Sequence, residues 1–141
     1  PKLIKSNFTF RDPETEVVLP QLQSDFYELI LGLLAQQPPQ VKWQNNDIYL
    51  GVVVSSENYP QSSAAGIRLS SFNSVPADLT INYAGVAQDS KGELVSNGGR
   101  ILCATTKASN ITQARTILYS WLNQQKLVGM RYRNDIGKHG E

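Results

Sequence analysis

The chain has 141 residues, with 13 basic and 12 acidic side chains and a formal net charge of +1. A hydrophobic fraction of 40% supports a buried core and excludes an intrinsically disordered chain, and the length fits one compact domain plus a short neighbouring segment. The even spread of charge argues against a nucleic-acid partner, and no apolar run approaches the ~20 residues of a membrane span.

The first part of the chain predicts one strand and one helix. Residues 2–10 alternate loosely between apolar and polar and predict a strand, which Pro13 prevents from continuing. A helix is predicted over residues 24–36, with Ser24 as its N-cap and Pro38-Pro39 beyond its end. The spacing of five of its apolar side chains predicts one buried face: Phe26, Leu29, Ile30, Leu33 and Leu34.

The remainder is rich in strand signals. Strands are predicted at residues 47–55, 67–69, 79–86, 94–95, 100–106 and 130–133. Asp89-Ser90-Lys91-Gly92 predicts a turn and Asn97-Gly98 a hairpin. A second helix is predicted over residues 110–126, with a stop at Gly129 and with one apolar face: Ile111, Ala114, Leu118, Trp121 and Leu122. The order predicts an α+β fold, an antiparallel sheet with flanking helices.

Three short motifs are each open to an ordinary interpretation. Asp12-Pro13-Glu14-Thr15 is a turn that opens a helix, with carboxylates favoured in its first turn. The glycines of Ser96-Asn97-Gly98-Gly99-Arg100 leave backbone N–H groups open to an anion, although most such turns only join strands. Arg131, Arg133 and Asp135 form either a solvated ion-pair stripe or a phosphate or carboxylate site centred on Arg133.

Six sequence landmarks, which occur in a fixed order along the chain, favour a functional interpretation of these motifs over the ordinary one. They are Asn7 to Glu16 (around Asp12-Pro13-Glu14-Thr15), Asn58-Tyr59-Pro60, Tyr83-Ala84-Gly85, Asn97-Gly98-Gly99-Arg100, the helix after them, and Tyr132-Arg133-Asn134-Asp135-Ile136-Gly137. Together they resemble the C-terminal portion of the glycinamide ribonucleotide synthetases, the phosphoribosylamine–glycine ligases. The resemblance covers nearly the whole chain.

The resemblance implies a reaction and a division of the chain. It implies an ATP-grasp ligase of purine biosynthesis that joins glycine to 5-phosphoribosylamine in the cytoplasm, using ATP and Mg²⁺ or Mn²⁺. Residues 1–20 would be the tail of the ATP-grasp domain and residues 21–141 the C-terminal domain. The substrate-binding residues implied in this way are Asp12, Glu14, Thr15, Gly98, Gly99, Arg100 and, more weakly, Arg133.

The implied metal site departs from the family pattern. An acid-x-Asn strand supplies metal ligands in the family, and here Asn7 is present but Lys5 stands in place of the acid. A protonated lysine has no lone pair to give and places a positive charge where the metal would bind. Thr9 and Arg11 also replace an arginine and a glycine of the pattern.

Two hypotheses follow. In the first, the chain is the C-terminal segment of such a ligase, inactive by itself because it lacks a nucleotide cleft, with no cofactor of its own and no nucleic-acid or membrane partner. In the second, it is a degenerate, non-catalytic relic or interaction module. Cys103, in an apolar run, is expected to be a buried thiol, and His139, close to the chain end, is not expected to bind metal. No signal peptide opens the sequence, and a first residue of proline suggests a piece of a longer protein.

Overall fold

The computed structural model describes residues 9–37, 39–69, 72 and 74–138. Its helices are α1 (Glu14–Val18), α2 (Phe26–Leu34) and α3 (Ile111–Leu122), with a 3₁₀ turn at Leu19–Gln21. Its strands are β1 (Ile48–Ser56), β2 (Ala65–Arg68), β3 (Leu79–Tyr83), β4 (Val86–Gln88), β5 (Leu94–Asn97), β6 (Arg100–Ala108) and β7 (Met130–Tyr132). The α+β class predicted from the sequence is confirmed.

The strands form two antiparallel sheets rather than the single sheet predicted. One sheet has the order β3-β6-β1-β7 and the other has the order β2-β5-β4. β1 and β6 are the long central pair of the first sheet, with Val52 opposite Ala104. The central position predicted for residues 47–55 is therefore correct.

A pair of glycine-containing corners explains the split into two sheets. The predicted strand over 79–86 is interrupted at Ala84-Gly85, where the chain passes from the first sheet to the second. Gly98-Gly99 makes the opposite passage, so the prediction that Asn97-Gly98 closes a hairpin is wrong. The corners touch, because the Gly85 N–H donates to the Arg100 carbonyl at 2.9 Å and an added Cβ at Gly85 would lie 2.9 Å from the Gly98 Cα.

The actual hairpin turn lies at Asp89 to Gly92, as predicted. The Asp89 carboxylate accepts hydrogen bonds from the N–H groups of Lys91 at 2.8 Å and Glu93 at 3.0 Å. Gly92 has φ of 79°, a conformation that glycine adopts without a steric penalty. The turn joins β4 to β5.

α3 supplies the main buried helix face. Asn110 caps it by accepting from the Gln113 N–H at 2.8 Å, and the helix packs against β1 and β6. The face was predicted correctly: Ala114, Leu118, Trp121 and Leu122 are buried and Ile111 packs partly against the core. The helix ends at Leu122, before the predicted end, and Gly129 (φ 73°) instead occupies the turn before β7.

α2 differs most from its prediction. It begins at Phe26 with Asp25, not Ser24, as its cap, since the Asp25 carboxylate accepts from the Glu28 N–H at 3.0 Å. It contains no buried residue, and Phe26 is 56% and Leu34 77% exposed. The predicted burial of this face is wrong for the chain as described, because periodicity specifies an apolar face but not the surface that covers it.

Several predictions fall on residues outside those described. These residues include Lys5, Asn7, Pro38 and His139, together with residues 2–8 of the predicted first strand. Residues 9 and 10, the described end of that stretch, are not in a strand.

Candidate functional site

A cleft of about 480 Å³ is lined by residues from several of the sequence landmarks. It lies where β1, β6 and β7 meet, since Ser55 pairs with both Arg100 and Arg131. Its walls combine residues from five parts of the chain: Pro13, Val53, Ser55, Tyr59, Pro60, Arg100, Arg131, Tyr132 and Arg133. The fold therefore brings the first and last motifs of the sequence to one place.

Arg100 connects the walls of this cleft. Its Nη1 donates to the Asp12 carbonyl oxygen and lies 3.3 Å from the Asp12 Oδ2, while its Nε donates to the Tyr59 hydroxyl at 3.2 Å. These contacts raise the pKa of Arg100, the Tyr59 hydrogen bond contributing most and the Asp12 charge less. The planar fork of a guanidinium allows one side chain to hold both partners.

Gly99 and Gly98 have packing roles at the same place. A Cβ added to Gly99 would lie 2.1 Å from Cδ2 of the Tyr59 ring, so the ring occupies the space that a side chain would need. A Cβ added to Gly98 would lie 3.2 Å from the Gly85 Cα. Tyr59 approaches Gly99 and Gly85 approaches Gly98, so neither position has room for a side chain unless its neighbour shifts.

The other two arginines of the cleft differ in their partners. Arg131 Nη2 donates to the Tyr59 carbonyl at 2.6 Å. Arg133 makes a two-pronged pair with Asp135, through Nε at 2.9 Å and Nη2 at 2.6 Å. This pair lowers the pKa of Asp135 to about 2. Among the described residues, Arg131 is the cleft arginine that forms no ion pair with a carboxylate.

The first motif is divided between two places. Pro13 lines the cleft and Asp12 contacts its Arg100, but the Glu14 carboxylate accepts the Arg11 N–H at 2.8 Å and closes the first turn of α1. Thr15 lines a second cleft of about 640 Å³, which is also lined by residues of β1, β3 and β6. Of the substrate-binding residues implied by resemblance, the structure therefore brings Asp12, Arg100 and Arg133 together and leaves Glu14 and Thr15 apart.

Sequence reasoning named Tyr59 and Arg131 within motifs but gave neither a binding role of its own. Tyr59 was noted only as part of a landmark, yet it contacts Gly99, Arg100 and Arg131. Arg131 stands two residues before Arg133, and the alternation of a strand places both on one side. That alternation was the available signal for Arg131, whereas nothing in the sequence separates Tyr59 from the other tyrosines.

The described carboxylates do not form a metal site. No group of three or more His, Cys, Asp or Glu side chains in the described part of the chain could hold a metal ion. Asp12 is paired with Arg100, and Glu14 bonds to a backbone N–H. The predicted metal edge, Lys5 with Asn7, lies outside the described residues.

Cys103 lies near α1, since a Cβ added at Gly51 would be 2.9 Å from the Val17 Cγ1 and 3.2 Å from the Cys103 Sγ. Burial and, to a smaller extent, the negative charges of Glu16 and Asp12 raise the pKa of its thiol to about 12. A thiol with this pKa is almost entirely protonated at neutral pH, so it is a poor nucleophile. The prediction of a buried thiol is confirmed.

Comparisons with known proteins agree with one another. Residues 49–139 match the family model of the phosphoribosylglycinamide synthetase C domain. The chain is 42% identical over its full length to a phosphoribosylamine–glycine ligase of Listeria innocua, and 40% identical over 97% of its length to one of Halalkalibacterium halodurans. The crystal structure of a phosphoribosylamine–glycine ligase from Thermotoga maritima superimposes on 90% of the chain with a TM-score of 0.73 and 28% identity.

The chain corresponds to only part of these proteins. It covers 34% of the Listeria innocua ligase, 32% of the Halalkalibacterium halodurans ligase and 31% of the Thermotoga maritima chain. It therefore spans about one third of the length of the relatives it matches. In the described part of the chain no helix is long and apolar enough to cross a membrane.

Proposed function

The chain belongs to the family of phosphoribosylglycinamide synthetase C domains, and we propose that it serves as the C-terminal segment of a phosphoribosylamine–glycine ligase in purine biosynthesis. The supporting observation is the cleft in which Pro13, Tyr59, Arg100 and Arg133 meet, although they are far apart in the sequence. A shared role in one site would explain why motifs that are far apart in the sequence meet in one cleft.

The proposed reaction is amide formation driven by ATP. The carboxylate of glycine attacks the γ-phosphorus of ATP to give an acyl phosphate and ADP. The amine of phosphoribosylamine then attacks the acyl carbon and phosphate leaves, so that an amide remains. Nucleotide would be bound by the rest of the ligase, and Mg²⁺ or Mn²⁺ by the rest of the ligase with Asn7 as a ligand from this chain, since the described carboxylates form no metal cluster.

The proposed contribution of this chain is a positively charged wall of the substrate cleft. Arg100 and Arg133 are each paired with one carboxylate, whereas Arg131 forms no ion pair with the described residues. The cleft therefore favours an anion, and a guanidinium matches the geometry of a phosphate or a carboxylate. The phosphate of phosphoribosylamine and the carboxylate of glycine are the two substrate groups with that charge.

The proposed division of the chain follows the sequence motifs. Residues 1–20 are the tail of the ATP-grasp domain, and the C-terminal domain follows. The family model begins at residue 49, so it does not assign the helical stretch at residues 21–48 to the C-terminal domain. We expect the ligase to act in the cytoplasm.

A ligase assay on two proteins tests the proposal. The first is the isolated chain, which we expect to form no amide from glycine, phosphoribosylamine and ATP. The second is a ligase chimera, the Listeria innocua ligase in which this chain replaces its matched third. We expect the chimera to form the amide. Product from the isolated chain above the buffer background would contradict the proposal that the reaction requires the rest of the ligase.

The relic hypothesis has its own observation in Lys5, Thr9 and Arg11, which depart from the family pattern. A chimera that unfolds cooperatively but makes no product would favour it. In a chimera that does form product, Lys5→Glu is expected to lower the Mg²⁺ concentration for half-maximal rate, because it removes a positive charge from the metal edge formed by Lys5 and Asn7. An unchanged Mg²⁺ dependence would refute the alignment of this edge.

A further inference from the structure

α2 carries an exposed apolar surface. Its large side chains that are more than one third exposed define the α2 face: Phe26, Tyr27, Ile30, Leu31, Leu33 and Leu34. Val41 and Trp43, which follow the helix, are also exposed. Monomeric proteins rarely leave a contiguous apolar patch of this kind uncovered, and such patches mark interaction sites.

Hydrogen bonds join the stretch before α2 (residues 21–24) to the stretch after it (residues 42–44). The Gln23 N–H donates to the Lys42 carbonyl at 2.9 Å, the Gln44 N–H to the Gln21 carbonyl at 2.8 Å, and the Lys42 N–H to the Ser24 hydroxyl at 2.8 Å. These bonds fix the two ends of the segment side by side but bury no side chain of the helix. Helices shorter than ~12 residues are marginal in water, so nine-residue α2 requires a surface that covers its apolar face.

The extent of the sequence match indicates what that surface is. The α2 face lies before residue 49, outside the C-domain model, yet inside the stretch that aligns with ligases about three times as long as this chain. The aligned ligases therefore contain a counterpart of this segment and about two thirds of a chain besides, and the description of the matched model as a C domain indicates that this remainder precedes it. The helix also has a single charged residue, Glu28, and no basic residue that would favour an anionic membrane surface.

We propose that the α2 face is the docking surface for the preceding part of the ligase polypeptide, so that residues 21–44 join the two parts of the enzyme instead of belonging to the C-terminal core. This inference rests on the proposed function. It places the structural boundary of the C-terminal domain close to β1 and not at residue 20.

The test compares two substitutions at equally exposed apolar positions. Leu34 on the α2 face is 77% exposed, and Val128 in the turn before β7 is 80% exposed. In the isolated chain, Leu34→Glu and Val128→Glu are both expected to leave the melting temperature within ~1 °C of the parent, because neither side chain is buried. In the ligase chimera, Leu34→Glu is expected to lower it by roughly 3 °C or more while Val128→Glu leaves it unchanged.

Hydrogen exchange gives a second readout that does not depend on a substitution. The α2 amides are expected to exchange at least ~100-fold more slowly in the chimera than in the isolated chain. Equal exchange in both proteins, or equal effects of the two substitutions in the chimera, would overturn the proposal. So would concentration-dependent dimerisation of the isolated chain that Leu34→Glu abolishes, since the face would then belong to a second copy. Both readouts are independent of product formation, so a docked but inactive chimera would contradict the proposed function alone.

Discussion

Two parts of this chain each contain a helix with an apolar face, and only one of these faces is buried. In the described residues every buried apolar side chain lies between Leu50 and Met130. In residues 9–44, by contrast, α1 and α2 contain no buried residue at all. A helix with an apolar face is therefore not evidence of a core within the same chain.

The difference arises from what each helix can reach. α3 follows directly from β6 and packs on the two central strands, so its apolar face is covered within the same fold. α2 is held in a segment whose ends bond to one another, and none of its residues is buried. The comparison between these two parts, the core (residues 48–138) and the N-terminal part (residues 9–44), leads to four predictions.

The largest expected effect comes from truncating one leucine in each part. Leu118 is fully buried in the core, so Leu118→Ala is expected to lower the free energy of unfolding by about 2–5 kcal/mol. Leu34→Ala in the N-terminal part is expected to change it by less than about 0.5 kcal/mol, because the side chain is already in water. Urea unfolding of the two variants of the isolated chain measures both values. Similar losses would show that α2 is buried in solution.

A second prediction concerns the packing at the cleft within the core. Gly99→Ala is expected to destabilise the chain by about 1–3 kcal/mol, because its Cβ would overlap the Tyr59 ring. Adding Tyr59→Ala to that variant removes the ring and is expected to make the alanine nearly neutral. Thermal unfolding of the two single variants and the double variant measures this coupling. Additive losses would mean that the ring does not rest on Gly99.

The third prediction concerns the contact between the two parts. Arg100→Met removes the contacts with Asp12 and Tyr59 and is expected to cost about 1 kcal/mol, since the guanidinium is partly solvated. Amides of α1 are expected to exchange faster while those of β1 and β6 stay protected. Arg100→Lys is the matched control for charge and should restore only part of the protection, because an ammonium lacks the fork. Full protection with lysine would mean that charge alone joins the two parts.

The sequence predicted those features that depend on local chemistry. The apolar face of α3 and the Asp89 turn were both identified, because periodicity and turn preferences act over a few residues. The two-sheet arrangement was not predicted, since the Asn97-Gly98 string is the same for a hairpin and for a corner between sheets. What decides between them is the approach of Gly85 from a distant part of the chain.

The resemblance named Asp12, Arg100 and Arg133 without their contacts; the structure places them close together, and their role in binding substrate stays a prediction. The position of Tyr59 between Gly99, Arg100 and Arg131 could not be predicted, because three different segments define it. Burial of α2 was predicted wrongly for the same reason. Periodicity gives the face, but the covering surface depends on chain that is distant or separate.

The smallest effect is expected at the Arg133–Asp135 pair, at the exposed end of the core. The hydrogen bonds from Arg133 lower the pKa of Asp135 from an ordinary value of 3.8 to about 2. A carboxyl whose pKa is lower in the folded state stabilises the fold above its unfolded pKa, and this contribution is lost as the pH falls from about 4 towards 2. Arg133→Gln should return the pKa of Asp135 towards 3.8, as measured by NMR titration of its carboxyl carbon. Arg131→Gln is the control and should leave it at about 2, because Arg131 bonds to Tyr59 instead. A shift with both variants would indicate that the general positive charge of the cleft, rather than the two-pronged pair, sets this pKa.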